Sequence, residues 1–245
     1  MDLDPDLVAL RSLGGFFVLH TGVPPHGPLP TLAEAYASPT SGAAGGVDAD
    51  PIIFRVRKIT ESLRVSESRV AASLAHQGLA ARLWAVALGS AALYGEVPDL
   101  RPGLLHWDPD GSAPHDLWLS EVHALPATAV DRVVRQEHLV PLTAALHTRY
   151  HVSARLLWGN AGSALAAAVR QIDHWATSRQ RPEVAHRTRA LAAGLFAHPD
   201  LAGTLDPASG RRRSCCLYYR VPGGGLCGDC CFTRPPRSSP HATSG

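Results

Sequence analysis

The stretch Arg211-Arg212-Arg213-Ser214-Cys215-Cys216-Leu217-Tyr218-Tyr219-Arg220-Val221-Pro222-Gly223-Gly224-Gly225-Leu226-Cys227-Gly228-Asp229-Cys230-Cys231 holds all five cysteines of a chain of 245 residues. Cys215 and Cys216 are adjacent, ten residues separate Cys216 from Cys227, two separate Cys227 from Cys230, and Cys231 follows directly. A secreted scaffold spreads its cysteines through the fold to close loops. Here no cysteine exists in the first 214 residues that would tie this segment to the rest. The pattern reads as clustered, reduced thiols and points to a metal site.

A C-x-x-C pair alone serves zinc, thiol redox and iron–sulfur sites alike. Four thiolates within a short segment bridged by a Gly-rich loop are more specific for one metal centre. Adjacent cysteines are awkward for a zinc knuckle, whereas a [2Fe–2S] cluster takes two thiolates on each iron and accommodates unusual spacing. Gly223, Gly224, Gly225 and Gly228 let the backbone come close and aim N–H groups at sulfur. Charge points the same way. Residues 206–245 hold six arginines and two acids, a net of +4, against −2 for the first 205 residues. A local positive charge offsets the −2 of an oxidised cluster and the −3 of a reduced one. From the residues alone, iron–sulfur, zinc and thiol redox chemistry all stay open. Residues 223–228 also match G-x-G-x-x-G, but they lie between cysteines with no room for the βαβ unit of a dinucleotide site.

Outward from this segment, the composition is that of a globular chain with a real core, 45% apolar and +2 overall. That charge argues against a nucleic-acid binder working by blanket phosphate neutralisation. The apolar stretches between Arg82 and Glu96 and between Arg155 and Arg170 fall short of the roughly 18 residues that a spanning helix needs. Met1-Asp2-Leu3-Asp4 lacks the order of a signal peptide. A cytoplasmic protein without a transmembrane segment is expected, with peripheral attachment at the inner face of the membrane left open.

The chain divides into an irregular N-terminal segment (1–65), a helical body (66–205), a C-terminal cysteine segment (206–233) and a disordered tail (234–245). Leu7 to Leu13 reads as a helix, Phe16 to Leu19 as a short strand, and Ile52 to Val56 as a strand or entry segment. A long helix starts near Ser66 or Ser68, carries Val70, Leu74, Leu79, Leu83 and Val86, and stops at Gly95. Gly103 to Trp107 and Asp116 to Val122 form a hairpin about Asp108-Pro109-Asp110-Gly111. Further helices cover about 130–150, 153–177 and 183–197. The fold class is α+β, mostly α: a helix-rich body, one small β element and the cysteine segment.

Other residues carry weaker signals. His147 and His151 stand four apart, but no third ligand is visible, so a solvated helix face is the plain reading. Trp84 and Trp158 read as core rather than pocket lining, and Tyr218 and Tyr219 as packing groups. Asn160, the only asparagine, sits mid-helix where it is unfavourable, which predicts a buried hydrogen bond to the backbone. Arg211-Arg212-Arg213 is either a solvated linker or an attractor for an anionic substrate or an acidic electron donor.

The arrangement Cys-Cys-x10-Cys-x2-Cys resembles the signature of the FhuF-like ferric-siderophore reductases. Arg69 to Trp84 and the run Leu157-Trp158-Gly159-Asn160-Ala161-Gly162-Ser163 are similar to that family's helical landmarks. The resemblance spans about 66–231. It implies a [2Fe–2S] cluster ligated by Cys215, Cys216, Cys227 and Cys230, with Cys231 outside the pattern. It further implies an oxidoreductase that passes one electron to Fe(III) in a hydroxamate-type siderophore and releases Fe(II). A separate donor protein or reductant would supply the electron, because the chain has no dinucleotide site. A non-enzymatic iron–sulfur or zinc sensor, or a siderophore-binding protein, is the alternative.

Overall fold

The computed structural model describes residues 7–25, 27–37 and 50–236. Residues 237–245, which make up most of the expected disordered tail, lie outside them. The helical elements are α1 (Leu32–Tyr36), α2 (Pro51–Leu63), α3 (Ser68–Tyr94), α4 (Val140–Tyr150), α5 (Ala154–Ser178) and α6 (Pro182–Phe196). The strands are β1 (His20–Thr21), β2 (Glu96–Pro98), β3 (Leu105–Trp107), β4 (Leu117–Leu119) and β5 (Ala124–Pro126). The fold is α+β and mostly α.

Helix α3 is the axis of the body. It packs most extensively on α5 and also touches α2, α4 and α6. Its alanines explain this: Ala71, Ala72, Ala80, Ala87, Ala91 and Ala92 are fully buried, and small side chains let neighbouring helices approach from several sides. Between them Leu83, Trp84 and Leu88 are fully buried, each worth about 1.5–3 kcal/mol of apolar transfer. Gly95 ends the helix in the left-handed region (φ +78°), as the Gly-then-Pro signal predicts.

The β part is two small sheets rather than one. β3 and β4 form the expected antiparallel hairpin, pairing Leu105 with Leu119 and Trp107 with Leu117, and β1 adds in parallel to β4. β2 and β5 pair separately. Period-two burial holds in β4, where Leu117 and Leu119 face the core and Trp118 does not.

Two local expectations are corrected. Residues Ile52 to Val56 are helical, inside α2. Asp50 caps that helix, its carboxylate accepting from the N–H groups of Ile52 and Ile53, and Pro51 takes the first turn. An N-cap carboxylate followed by proline outweighs the β-branched run. Residues 15–17 form a 3-10 turn and the strand begins only at His20. Phe17 inserts instead against α3, where a Cβ on Gly89 would come within 2.7 Å of its ring. The N-terminal segment read as irregular thus contains α1 and α2. The helix expected from 130 opens as a π-helix over Asp131–Leu139 before becoming α4. His147 and His151 do not share a site: the His147 ring bonds the carbonyl of Val152, and His151 is the left-handed cap of α4. Trp84 is core, fully buried.

Candidate metal centre

The cysteine segment lies across the first halves of α3 and α5. Three features of those helices receive it. First, α5 presents glycines. A Cβ on Gly159 would stand 1.9 Å from Ser214 Oγ, and one on Gly162 would stand 2.2 Å from Thr204 Oγ1, so the two glycines let the chain on either side of the arginine run pass close without moving those hydroxyls. Second, Ser73 of α3 donates from Oγ to the Cys216 carbonyl (2.8 Å). The only asparagine, Asn160, bonds the Ser73 carbonyl (2.9 Å) and hydroxyl (3.0 Å), as the sequence predicts for a buried mid-helix asparagine. Third, Ser163 donates to Asp229 Oδ2 (2.5 Å), and Arg220 pairs with Glu67 at the start of α3.

The arginine run is not a solvated linker. Arg211 donates to the carbonyls of Cys230 (2.8 Å) and Phe232 (2.6 Å), closing the cysteine loop on itself. Arg212 is 2% exposed and points between the helices, where its guanidinium meets Asn160 Oδ1 and Gln77 Oε1. Its backbone N–H donates to the Asp229 carbonyl (2.8 Å). Arg213 alone is exposed, at 3.7 Å from Asp206.

All five cysteines are free, and the segment gathers their thiols. Cys216 and Cys227 stand Sγ to Sγ at 3.6 Å. The Cys215 thiol lies within the field of Cys216, Cys230 and Cys231. Backbone N–H groups aim at sulfur from Leu217 to Cys215 (3.2 Å) and from Phe232 to Cys230 (3.4 Å), rather than from the glycines. The glycines instead shape the loop: Gly223 takes a positive φ (+71°), and a Cβ on Gly224 would meet the Tyr218 carbonyl at 2.8 Å. Tyr219 packs edge-on to Phe232, whereas Tyr218 is exposed and lines a hollow with Cys216 and Cys227.

Burial, and then the charges of neighbouring thiols, push Cys215 up to about 11 and Cys227 up to about 12. Such thiols stay protonated at neutral pH, and a metal that binds them must displace the protons. Among the described residues, no three His, Cys, Asp or Glu side chains are arranged to hold one metal ion. A two-iron cluster asks for something different, two thiolates on each of two irons. A close thiol pair with further thiols beside it, backbone donors on sulfur and surrounding guanidinium groups fit that donor chemistry.

Two hollows flank the thiols. One, of about 620 Å³, is lined by Gln77, Ser163, Arg170, Arg211, Cys227 and Asp229 among others. The other, of about 240 Å³, is lined by Gln77, Tyr218, Cys216 and Cys227 with Leu74 and Gly78. Gln77 and Cys227 stand in the wall of both. Ser73 and Gln77, one turn apart, and Ser163 lie within the two helical landmarks, but nothing in the sequence marks them individually, and Arg170 lies outside both stretches.

A helical body that receives a thiol-rich segment between two of its helices has the build of a small metal-cluster protein. The chain belongs to the FhuF-like family: the ferric iron reductase FhuF-like transporter family matches residues 65–211, and the FhuF 2Fe-2S C-terminal domain matches residues 212–232. Its cofactor is a [2Fe–2S] cluster, and at family level it is an iron–sulfur oxidoreductase of iron uptake. A comparison with curated proteins returned no match. No helix among the described residues is long and apolar enough to cross a membrane.

Proposed function

We propose that this protein is a ferric-siderophore reductase: it accepts one electron from a separate donor protein or reductant and passes it to siderophore-bound Fe(III), releasing Fe(II) and the intact siderophore. Hydroxamate oxygens hold Fe(III) tightly and Fe(II) far more weakly, so a single electron suffices for release. When bound, the [2Fe–2S] cluster supplies a one-electron carrier. Cys215, Cys216, Cys227 and Cys230 would hold it, with Cys231 beside them as a spare thiol. The body, 66–205, supplies the docking surface, and 206–233 supplies the thiolates. Reduced thiols suit a reducing, cytoplasmic compartment.

One observation supports this reading above the others: a cavity of about 620 Å³ has a cluster cysteine, Cys227, in its wall. Electron transfer needs the acceptor close, and this hollow brings a ferric complex there. Arg170 at its rim is exposed and has no ion-pair partner among the described residues. It is free to meet the oxygen-rich surface of the complex. Ser163 and Gln77 add neutral donors and acceptors.

The test mixes the dithionite-reduced protein with ferric hydroxamates and an Fe(II) chelator. Loss of the reduced-cluster spectrum together with one Fe(II) captured per electron is the expected result. A cluster that stays reduced leaves a sensor or a binding protein. Arg170→Glu is expected to raise KM severalfold with little change in kcat. For the ligands, Cys227→Ser and Cys230→Ser are expected to lose the visible spectrum and the iron, and Cys231→Ser to keep both. Iron lost from Cys231→Ser but kept in Cys230→Ser would move the assignment by one residue.

A further inference from the structure

Three arginines are buried among the described residues: Arg82, Arg135 and Arg212. Arg82 is paired with Asp116 at 2.8 Å, and Arg135 with Asp131 at 2.6 Å and Asp200 at 2.9 Å. Arg212 has no carboxylate partner. Its guanidinium meets only neutral oxygens, Asn160 Oδ1 and Gln77 Oε1 (3.4 Å), and its Nε has no acceptor at all. Burying a guanidinium is costly, and unlike a histidine or lysine it does not escape by losing its proton. The neighbouring His76 does escape. Burial, and then the charge of Arg212, push it down to about 3, so it is neutral and adds no counter-charge.

The cation is also fixed in place. Its own N–H is bonded to Asp229, the residue before Cys230. Gln77, which accepts from it, stands with Cys227 in the wall of both hollows. Asn160, its other partner, bonds Ser73, and Ser73 bonds the Cys216 carbonyl. The guanidinium is thus linked through Asn160 and Ser73 to the Cys216 carbonyl, the Arg212 backbone is tied to Asp229 beside Cys230, and Gln77 shares two cavity walls with Cys227.

We propose that Arg212 is a potential-setting residue: a buried cation whose missing counter-charge is the thiolate-held cluster, positioned by Asn160 and Gln77. A [2Fe–2S] cluster held by four thiolates would carry a net charge of −2, and −3 after taking up one electron. A fixed cation favours the second state more than the first, so it raises the reduction potential. The same attraction favours loading of the cluster over the empty chain, where the guanidinium is unpaired. This inference rests on the thiolate assignment above. The visible spectrum and iron content of the parent protein test that assignment separately, and they are measured first.

The experiment is a redox titration of the cluster-loaded protein followed by electron paramagnetic resonance, on variants whose spectrum and iron content match the parent. Arg212→Met is expected to lower the reduction equilibrium constant at least tenfold, which for one electron is about 59 mV. Arg212→Lys, which keeps the charge, is expected to stay within about threefold of the parent, a rescue that a purely structural peg would not show. Where Arg212→Met does not hold a cluster, Gln77→Glu decides. It is nearly isosteric and gives the guanidinium the carboxylate it lacks. It should lower the equilibrium constant in the loaded protein and raise the urea midpoint of the cluster-free protein, the second gain vanishing when Arg212 is also replaced. A potential unchanged in Arg212→Met or in Gln77→Glu, with the cluster intact, overturns the proposal.

Discussion

Arg82 and Arg212 are both 2% exposed and both reach α3, one from within it and one from the cysteine segment, yet the chain treats them oppositely. Arg82 lies toward the β-sheet side. Asp116 accepts from its Nε, and the carbonyls of Gly15, Phe16 and Val18 accept from its two terminal nitrogens. That arrangement supplies both a counter-ion and enough acceptors, and it ties the N-terminal turns and the hairpin to the central helix. Arg212 lies toward the thiols with neutral partners and an unmet donor. A buried charge is tolerated when it is paired and saturated. The contrast is between a side whose buried cation is paired within the polypeptide and a side whose buried cation has no carboxylate partner among the described residues.

The widest departure comes from breaking the complete side. Arg82→Ala leaves Asp116 buried and unpaired, and the expected loss is about 3–5 kcal/mol of unfolding free energy. Urea denaturation should show this loss in cluster-free and cluster-loaded protein alike. The midpoint potential should not move, because the β-sheet side carries no redox charge. A shift in potential as large as that of Arg212→Met would erase the distinction between the two arginines.

Acid sharpens the same rule. His138 is fully buried, with Tyr36 Oη at 2.9 Å from Nδ1 and the Leu100 carbonyl at 2.6 Å from Nε2. Burial pushes it down to about 4, against the opposing pull of the Leu100 carbonyl. The unfolded chain therefore takes up this proton first, near the ordinary histidine value of about 6.5. Stability is fully present above that value and is lost as pH falls from about 6.5 towards 4, tenfold in the folding constant per unit. At pH 5 the expected loss is about 2 kcal/mol. Urea midpoints from pH 7 to pH 5 should fall in the parent and fall about half as steeply in His138→Gln, because buried His76, pushed down to about 3, contributes a similar loss; equal slopes would show that the His138 imidazole is not a source.

The smallest expected change tests how the open side is fitted to the body. In Gly162→Ala the new methyl meets Thr204, whose hydroxyl already bonds the Leu201 carbonyl and whose own carbonyl accepts from Arg213. Overpacking there should cost about 1 kcal/mol. Its signature is faster loss of iron to a chelator together with a small drop in the urea midpoint, well short of that in Arg82→Ala. A variant that keeps its iron as well as the parent would mean that the segment is not seated by this contact.

The long helices, the hairpin and the cofactor-bearing segment are legible because each has a local cause. Alanine-rich periodicity with a glycine stop defines α3, a Pro-Asp-Gly turn defines the hairpin, and the clustered cysteines mark the segment matched by the 2Fe-2S domain. The misreadings have local causes as well. Ile52 to Val56 reads as a strand or entry segment when taken alone, but Asp50-Pro51 before it starts a helix. Phe16 to Leu19 reads as a short strand, but α3 offers Phe17 a slot over Gly89 that no local pattern reveals. The π-turns over 131–139 have no sequence signature.

By its sequence alone this protein determines the make-up of its cofactor segment: five clustered cysteines, glycines that shape the loop between them, and an excess of arginine. Only the tertiary structure decided what each arginine does. Three adjacent arginines are alike in any composition or charge count. The packing of α3 against α5 makes Arg211 a brace for the cysteine loop, leaves Arg213 in solvent and buries Arg212 where no carboxylate reaches it. Burial removes the water that makes charges equivalent at the surface. A guanidinium deprived of water takes its meaning from its neighbours, and those neighbours are set by the fold.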